Sequence, residues 1–163
     1  MARCLIIGCG CRGRALAAEL LAQGNVVRGT TRSAEGAAAI SAVGAEAVLA
    51  DPDRLDTLFG ALDHVTVAYV LLGSAVGSRE QLAALHGDRL ESLVFKMIDT
   101  TVRVVIYEAA GTVDGALLSA GAETVRRLCE QNRMLYELLD ADPGEPDAWV
   151  RAALAAPVAA LNG

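Results

Sequence analysis

Three glycines near the start of the chain have the spacing of a phosphate-binding loop. Gly8, Gly10 and Gly13 form the pattern G-x-G-x-x-G directly after the apolar run 5–7. The first glycine permits a tight turn, the second lets a phosphate approach the bare backbone, and the third lets the following helix pack closely on the strand. The N-terminus of that helix offers free N–H groups and a positive dipole end. The pattern predicts a pyrophosphate-binding loop, and the alternative is a tight turn in an ordinary α/β protein.

The second predicted strand ends in residues that favour a ligand with an additional phosphate. NAD-binding proteins usually place an Asp or Glu about 20 residues after the glycines, where it holds the ribose 2′-hydroxyl. Here the segment 28–33 reads Arg-Gly-Thr-Thr-Arg-Ser, and no acid appears before Glu35. Arg32 can make a forked contact with a 2′-phosphate, and the hydroxyls of Thr31 and Ser33 can add hydrogen bonds. We therefore predict NADP(H) in preference to NAD(H); the alternative is that Arg32 is a solvated surface charge.

Further cofactor contacts follow from the rule that ligands bind at the carboxyl ends of parallel strands. Asp51 ends the third predicted strand and is expected to reach the adenine edge. Leu71, Leu72 and Gly73 end the fourth strand and are expected under the nicotinamide ribose, and Ala109 and Ala110 end the fifth and are expected near the nicotinamide or the substrate. Cys11 and Arg12 within the glycine loop are further predicted contacts.

Two residues at the end of the fifth strand are candidates for proton transfer. Tyr107 and Glu108 would lie near a nicotinamide, and a carboxyl group removed from water holds a proton more readily. The simpler interpretation, which the residue types favour, is a core tyrosine beside an exposed acid.

The remaining histidines and cysteines indicate no metal site, because Cys9, Cys11, His64 and His86 have no recognisable ligand spacing. The thiols in the loop are either redox-sensitive or small residues that fill it. Both histidines are expected at the surface, and Cys129 in the core.

The elements that must position these residues alternate between strand and helix. Strands are predicted at 3–8, 25–31, 45–51, 64–73 and 102–111, and helices at 12–23, 33–43, 55–62, 79–98, 116–139 and 147–161. Ser33 is the expected cap of the second helix, and Trp149 is expected to pack the last helix onto the core. This order predicts a doubly wound parallel sheet of five to six strands with helices on both faces. We expect one domain over 1–163, with a core at 1–140 and a C-terminal helix at 147–161.

The composition limits the classes of function. A net charge of −6 argues against a general nucleic-acid or anionic-membrane binder. We expect no secretory leader and no apolar run that spans a bilayer. Three of the four cysteines crowd one short segment, a poor disulfide framework, so we expect a reducing cytoplasm. A homodimer is the common assembly of such folds.

The run CLIIGCGCRGRALAAELLAQGNVVRGTTRS (4–33) resembles the start of atypical short-chain dehydrogenase/reductases of the NAD-dependent epimerase/dehydratase-like group. The run VRVVIYEAAGTV (102–113) is similar to their fifth strand. The resemblance implies a Rossmann fold and a nicotinamide dinucleotide. It implies a phosphate-binding role for Gly8, Gly10 and Gly13, and contact with the adenosine phosphate for Arg32.

The catalytic residues of that family have no counterpart here. Its members use Tyr-x-x-x-Lys, and none of Tyr69, Tyr107 and Tyr136 has a lysine four residues later. Family members also continue into a substrate-binding portion where this sequence ends. Two hypotheses follow: a small NADPH-dependent oxidoreductase acting on a small molecule, which is our working hypothesis, or a non-catalytic NADP(H)-binding sensor or partner subunit.

Overall fold

All 163 residues are described by a computed structural model, and a six-stranded sheet forms its centre. The strands are β1 (Arg3–Ile7), β2 (Val26–Thr31), β3 (Glu46–Leu49), β4 (Val67–Val70), β5 (Val104–Glu108) and β6 (Leu135–Leu139). The helices are α1 (Cys11–Ala22), α2 (Ala34–Ala42), α3 (Asp56–Phe59), α4 (Arg79–Leu85), α5 (Asp88–Ile98), α6 (Gly115–Gln131) and α7 (Pro146–Leu161), and a short 3₁₀ turn (Gly60–Leu62) follows α3.

The strand order is β3-β2-β1-β4-β5-β6, and every neighbouring pair is parallel. The chain first winds outwards from β1 to β3 and then crosses back to β4. The predicted doubly wound sheet is therefore confirmed. The reversal lies between β1 and β4, where folds of this kind bind ligands.

Alternating strand residues pack against helices on the two faces of the sheet. On one face Ile6, Tyr69 and Ile106 contribute to a core with residues of α1 and α7. On the other face Leu5 and Val105 contribute to a core with residues of α5 and α6. Trp149 is fully buried in the first core, as expected for a residue that packs α7 down.

The predicted helix over 116–139 is wrong in its last part. Helix α6 ends at Gln131, Arg133 has a φ of +56°, and the chain turns into β6. This strand pairs with β5 along its whole length, from Val104 opposite Leu135 to Glu108 opposite Leu139. The pairing satisfies the backbone groups at the outer edge of β5, which a longer helix would leave without partners.

The predicted helix over 79–98 is divided into α4 and α5 at His86 and Gly87. A Cβ atom at Gly87 would lie 2.6 Å from the carbonyl oxygen of Ala83, so the chain bends at a residue without a side chain. None of the seven helices combines the length and the apolar character that a membrane-spanning segment requires.

Candidate functional site

The main cavity of the molecule has a volume of about 500 Å³ and lies at the carboxyl ends of β1, β2 and β4. The glycine loop 8–14, the end of β2 at 30–33 and the segment 50–53 form its polar walls. The end of β4 and one side of α4 form the rest. The cavity therefore lies where the strand order reverses, as the doubly wound topology predicts.

The structure gives a different geometric reason for glycine at each of the three positions of the loop. Gly8 has a φ of +81°, and a Cβ atom there would lie 2.5 Å from the carbonyl oxygen of Leu71. At Gly10 nothing lies within 4 Å of the Cβ position, so the space above the backbone is open. At Gly13 a Cβ atom would lie 3.2 Å from the side chain of Ile6, which shows how closely α1 packs on β1.

The loop is anchored so that the N-terminus of α1 stays free. Thr30 accepts from the N–H of Gly8 through its hydroxyl at 3.1 Å, and from the N–H of Cys9 through its carbonyl at 2.9 Å. No side chain caps α1, its first turn contains no acid, and the N–H groups of Arg12 and Gly13 have no acceptor. Unpaired donors beside open space are a suitable arrangement for an anion.

The end of β2 brings the predicted phosphate-binding residues to the same cavity. Arg32 is exposed, lines the cavity and forms no ion pair. The hydroxyl of Ser33 accepts from the N–H of Gly36 at 3.0 Å and caps α2, as the sequence predicted. Thr31 and Asp51 also line the cavity, and the carboxylate of Asp51 accepts from the N–H of Asp53.

The opposite wall is apolar and includes residues that were not predicted to belong to the site. Leu71 and Leu72 were predicted contacts, and both line the cavity. Helix α4 adds Leu82 and Leu85, which lie in a predicted helix but were not predicted at the site. Their three-residue spacing on a short helix after β4 was the available signal.

Five of the predicted site residues lie outside the cavity. They are Gly73, Tyr107, Glu108, Ala109 and Ala110, none of which contributes to its lining. Gly73 donates its N–H to Oε1 of Glu108 at 2.9 Å. A Cβ atom at Gly73 would lie 2.3 Å from the carbonyl oxygen of Ala110, so the tips of β4 and β5 touch.

Glu108 is fully buried, so the interpretation of this residue as an exposed acid is wrong. Nη2 of Arg12 donates to both carboxylate oxygens, at 3.1 and 2.9 Å. Nε1 of Trp149 donates to Oε2 at 3.1 Å, and the guanidinium carbon of Arg12 lies 5.3 Å from the centre of the Trp149 ring. The buried Nε of Arg12 has no hydrogen-bond partner. We call Arg12, Glu108 and Trp149 the polar cluster.

Tyr107 and His86 form a second buried pair, and the expectation that His86 is a surface residue is wrong. Its Nδ1 lies 2.6 Å from the hydroxyl of Tyr107, and its Nε2 lies 3.0 Å from the carbonyl oxygen of Leu72. A carbonyl only accepts, so Nε2 carries the proton and Nδ1 accepts from Tyr107. Burial lowers the pKa of His86 and raises the pKa of Tyr107, which keeps both groups neutral. His64 is exposed, as expected.

The two thiols of the glycine loop differ in environment. Cys9 is buried, and its burial raises the pKa of the thiol to about 11. Its sulfur lies 2.9 Å from the position of a Cβ atom at Gly29, so Cys9 packs the loop against β2. Cys11 is exposed, and its sulfur accepts from Arg14 at 3.2 Å. Cys129 is buried, as expected.

No protein-family profile matches the sequence, and no curated protein matches it. Solved structures do share its fold. A short-chain dehydrogenase/reductase superfamily protein from Agrobacterium tumefaciens with bound NAD gives a TM-score of 0.69 at 20% identity, over 83% of this chain and 48% of that one. Vestitone reductase from alfalfa (Medicago sativa) gives a TM-score of 0.66 at 15% identity, over 85% and 56%.

Triphenylmethane reductase from Citrobacter sp., complexed with NADP(H), gives a TM-score of 0.61 at 17% identity, over 83% and 48%. This chain thus spans about half the length of these structures. The chain has the Rossmann-type fold that these structures share, which is the fold that the resemblance implied.

Proposed function

We propose that the chain binds NADP(H) in the cavity at the carboxyl ends of β1, β2 and β4. The observation that carries this proposal is that the uncapped N-terminus of α1 and the unpaired guanidinium of Arg32 line the same cavity. The N-terminus of α1 offers backbone N–H donors to a diphosphate. The guanidinium of Arg32 offers two parallel N–H donors and a positive charge to an additional phosphate. Two solved structures of the same fold contain NAD or NADP(H), which supports a nicotinamide dinucleotide.

Each part of the ligand has matching residues in the cavity. The backbone N–H groups of Arg12 and Gly13 would hold the diphosphate above the open position at Gly10. Arg32, with the hydroxyls of Thr31 and Ser33, would hold the 2′-phosphate, and Asp51 would approach the adenine. When bound, NADPH can supply a hydride to an acceptor.

The geometry favours a binding role without turnover over the oxidoreductase hypothesis. Neither Tyr107 nor Glu108 lines the cavity, and each is held by buried hydrogen bonds to other groups. NADPH-dependent reduction of a small molecule stays the second candidate, because solved reductases such as vestitone reductase share the fold. A homodimer and a cytoplasmic location stay predictions from the sequence.

Calorimetric titration with NADPH and NADH tests the proposal. We expect NADPH to bind more tightly than NADH, because only NADPH offers a 2′-phosphate to Arg32. Arg32→Ala should weaken NADPH binding by about 10- to 100-fold, the usual value of a charge-assisted contact, and change NADH binding little. The matched control is Arg54→Ala, which removes an exposed arginine that does not line the cavity.

Equal weakening of both cofactors by Arg32→Ala, or no binding of either to the wild type, would contradict the proposal. Turnover is tested separately by following NADPH consumption with a panel of carbonyl and quinone compounds. Intact NADPH binding without consumption across the panel supports the binding role, and consumption of one compound supports the oxidoreductase.

A further inference from the structure

We infer that the site holds only the adenosine half of the dinucleotide, with its diphosphate and 2′-phosphate, and leaves the nicotinamide in solvent. This inference rests on the proposed function, because it assigns which part of NADP(H) the chain recognises. The ligand class is then any 2′-phosphoadenosine diphosphate, whatever group is attached beyond the diphosphate.

The cavity lies over the first half of the sheet and the end of β4. A doubly wound sheet has two mononucleotide-binding halves, and a dinucleotide lies across both. In this chain the first half is β1 to β3 and the second is β4 to β6. The cavity is lined by the first half, by the end of β4 and by α4, and no residue after Leu85 lines it. The cavity therefore does not extend over the carboxyl ends of β5 and β6.

The polar cluster fills the space at the end of β5. Arg12 extends from the glycine loop to Glu108, and Trp149 reaches the same carboxylate from the first turn of α7. Glu108 and Trp149 are both 0% exposed. Three elements that are far apart in sequence thus meet where the second half of the sheet would otherwise be open.

The tips of β4 and β5 are in direct contact. Val113 donates its N–H to the carbonyl oxygen of Gly73 at 3.0 Å, and Thr112 donates its N–H to the hydroxyl of Ser74 at 3.3 Å. A Cβ atom at Gly111 would collide with the same carbonyl of Gly73. These contacts hold the two tips together.

Entry of the nicotinamide half would require these contacts to break. Arg12 would have to leave Glu108, whose carboxylate would lose its ion-pair partner while the fold keeps it away from water. An unpaired buried charge is strongly unfavourable. The adenosine half needs no such rearrangement, because the glycine loop and Arg32 already face open space. A site of this kind does not distinguish NADP⁺ from NADPH, since the two differ only in the nicotinamide.

Calorimetry with a series of ligands on the unmodified chain tests the inference. The series is NADP⁺, NADPH, 2′-phospho-ADP-ribose, which lacks only the nicotinamide, and nicotinamide mononucleotide. We expect the dissociation constants of the first three to agree within about fivefold, which is about 1 kcal/mol, and nicotinamide mononucleotide not to bind.

Binding of NADP⁺ or NADPH more than about fivefold tighter than 2′-phospho-ADP-ribose would overturn the inference and leave the proposed function intact. Binding of none of the adenosine ligands would overturn the proposed function itself. The two failures are therefore distinguishable.

The fluorescence of reduced nicotinamide gives an independent measurement. We expect NADPH to keep the emission maximum and intensity of the free cofactor when calorimetry shows it bound, because its ring stays in water. A blue-shifted and stronger emission that 2′-phospho-ADP-ribose reverses by competition would show that the ring enters an apolar site, and would overturn the inference.

Discussion

At the scale of single residues, Glu108 illustrates how one buried carboxylate connects distant parts of a chain. It accepts from the guanidinium of Arg12, the backbone N–H of Gly73 and the indole N–H of Trp149. All three partners are donors, so a carboxylate satisfies them and an amide does not. A charge in the interior is tolerated because it is paired and hydrogen-bonded.

We expect Glu108→Gln to lower the free energy of unfolding by about 2–4 kcal/mol. The amide NH₂ must face at least one donor, and Arg12 loses its counterion. Urea unfolding followed by circular dichroism measures the change. The control is Glu123→Gln, which breaks an exposed ion pair with Arg126 on α6 and should leave the unfolding midpoint nearly unchanged. Equal effects of the two substitutions would mean that the polar cluster adds no stability.

The role of a residue was predictable where the cause is local. The turn at Gly8, the cap at Ser33 and the close packing at Gly13 each depend on a few neighbouring residues, and their sequence signals are strong. The burial of Glu108 and His86 was not predictable, because it depends on partners that are far away in the sequence. Nothing local marks either residue as buried.

At the scale of elements, the break between α4 and α5 determines where His86 lies. Apolar residues continue at helical spacing across 79–98, so the pattern predicted one helix. The bend at Gly87 turns α5 onto the sheet and brings His86 against Tyr107 on β5. A single glycine within a periodic segment is a weak signal, because helices often tolerate one.

Because this bend buries His86, the stability of the protein is expected to depend on pH. Burial lowers the pKa of His86 in the folded state below its ordinary value near 6.5, so the unfolded chain takes up the proton more readily. The contribution of His86 is therefore complete above about pH 6.5 and is lost as the pH falls below it, at most by about 1.4 kcal/mol per pH unit.

Urea unfolding at pH 7.5 and pH 5.5 measures this effect as a difference in free energy. We expect His86→Gln to lose part of the acid destabilisation of the wild type, and His64→Asn to keep all of it. His64 is exposed and has a φ of +61°, which asparagine tolerates, so this variant removes the other histidine without strain. An unchanged pH dependence in His86→Gln would contradict the assignment of a neutral buried imidazole.

The sixth strand shows why the C-terminal part was harder to predict than the first half. Leu135, Leu138 and Leu139 continue the apolar spacing of α6, and no proline or glycine separates the two elements. The signal for the break is the left-handed conformation of Arg133, which a sequence does not reveal because arginine rarely adopts it. The strand forms because β5 offers it an unpaired edge.

At the scale of the whole molecule, α7 joins parts of the chain that are distant in sequence. It packs against β5, β6 and α1, and its Ala153 carbonyl accepts from the hydroxyl of Tyr69 on β4 at 3.0 Å. Trp149 lies in the same core as residues of β1, β4 and β5. From these contacts we expect the helix and the sheet to form one cooperative unit.

The contribution of Trp149 to that unit can be measured by substitution. We expect Trp149→Phe to lower the free energy of unfolding by about 2 kcal/mol, through the lost hydrogen bond to Glu108 and the smaller ring. The control is Val158→Ala, which shortens an exposed side chain on the same helix. If both variants unfold at the urea concentration of the wild type, α7 adds little to the stability of the sheet.

Trp149 is the only tryptophan of the chain, so its fluorescence reports on α7, while circular dichroism reports on all helices and strands together. If the helix and the sheet unfold as one unit, the two signals must give the same urea midpoint and the same slope. We expect this agreement, because separating α7 would expose the Trp149 ring and leave Glu108 without one of its donors. A fluorescence transition at lower urea than the circular dichroism transition would show that α7 leaves first. The contacts of the polar cluster would then break before the fold is lost. The second half of the sheet would become accessible at urea concentrations at which the rest of the protein is still folded.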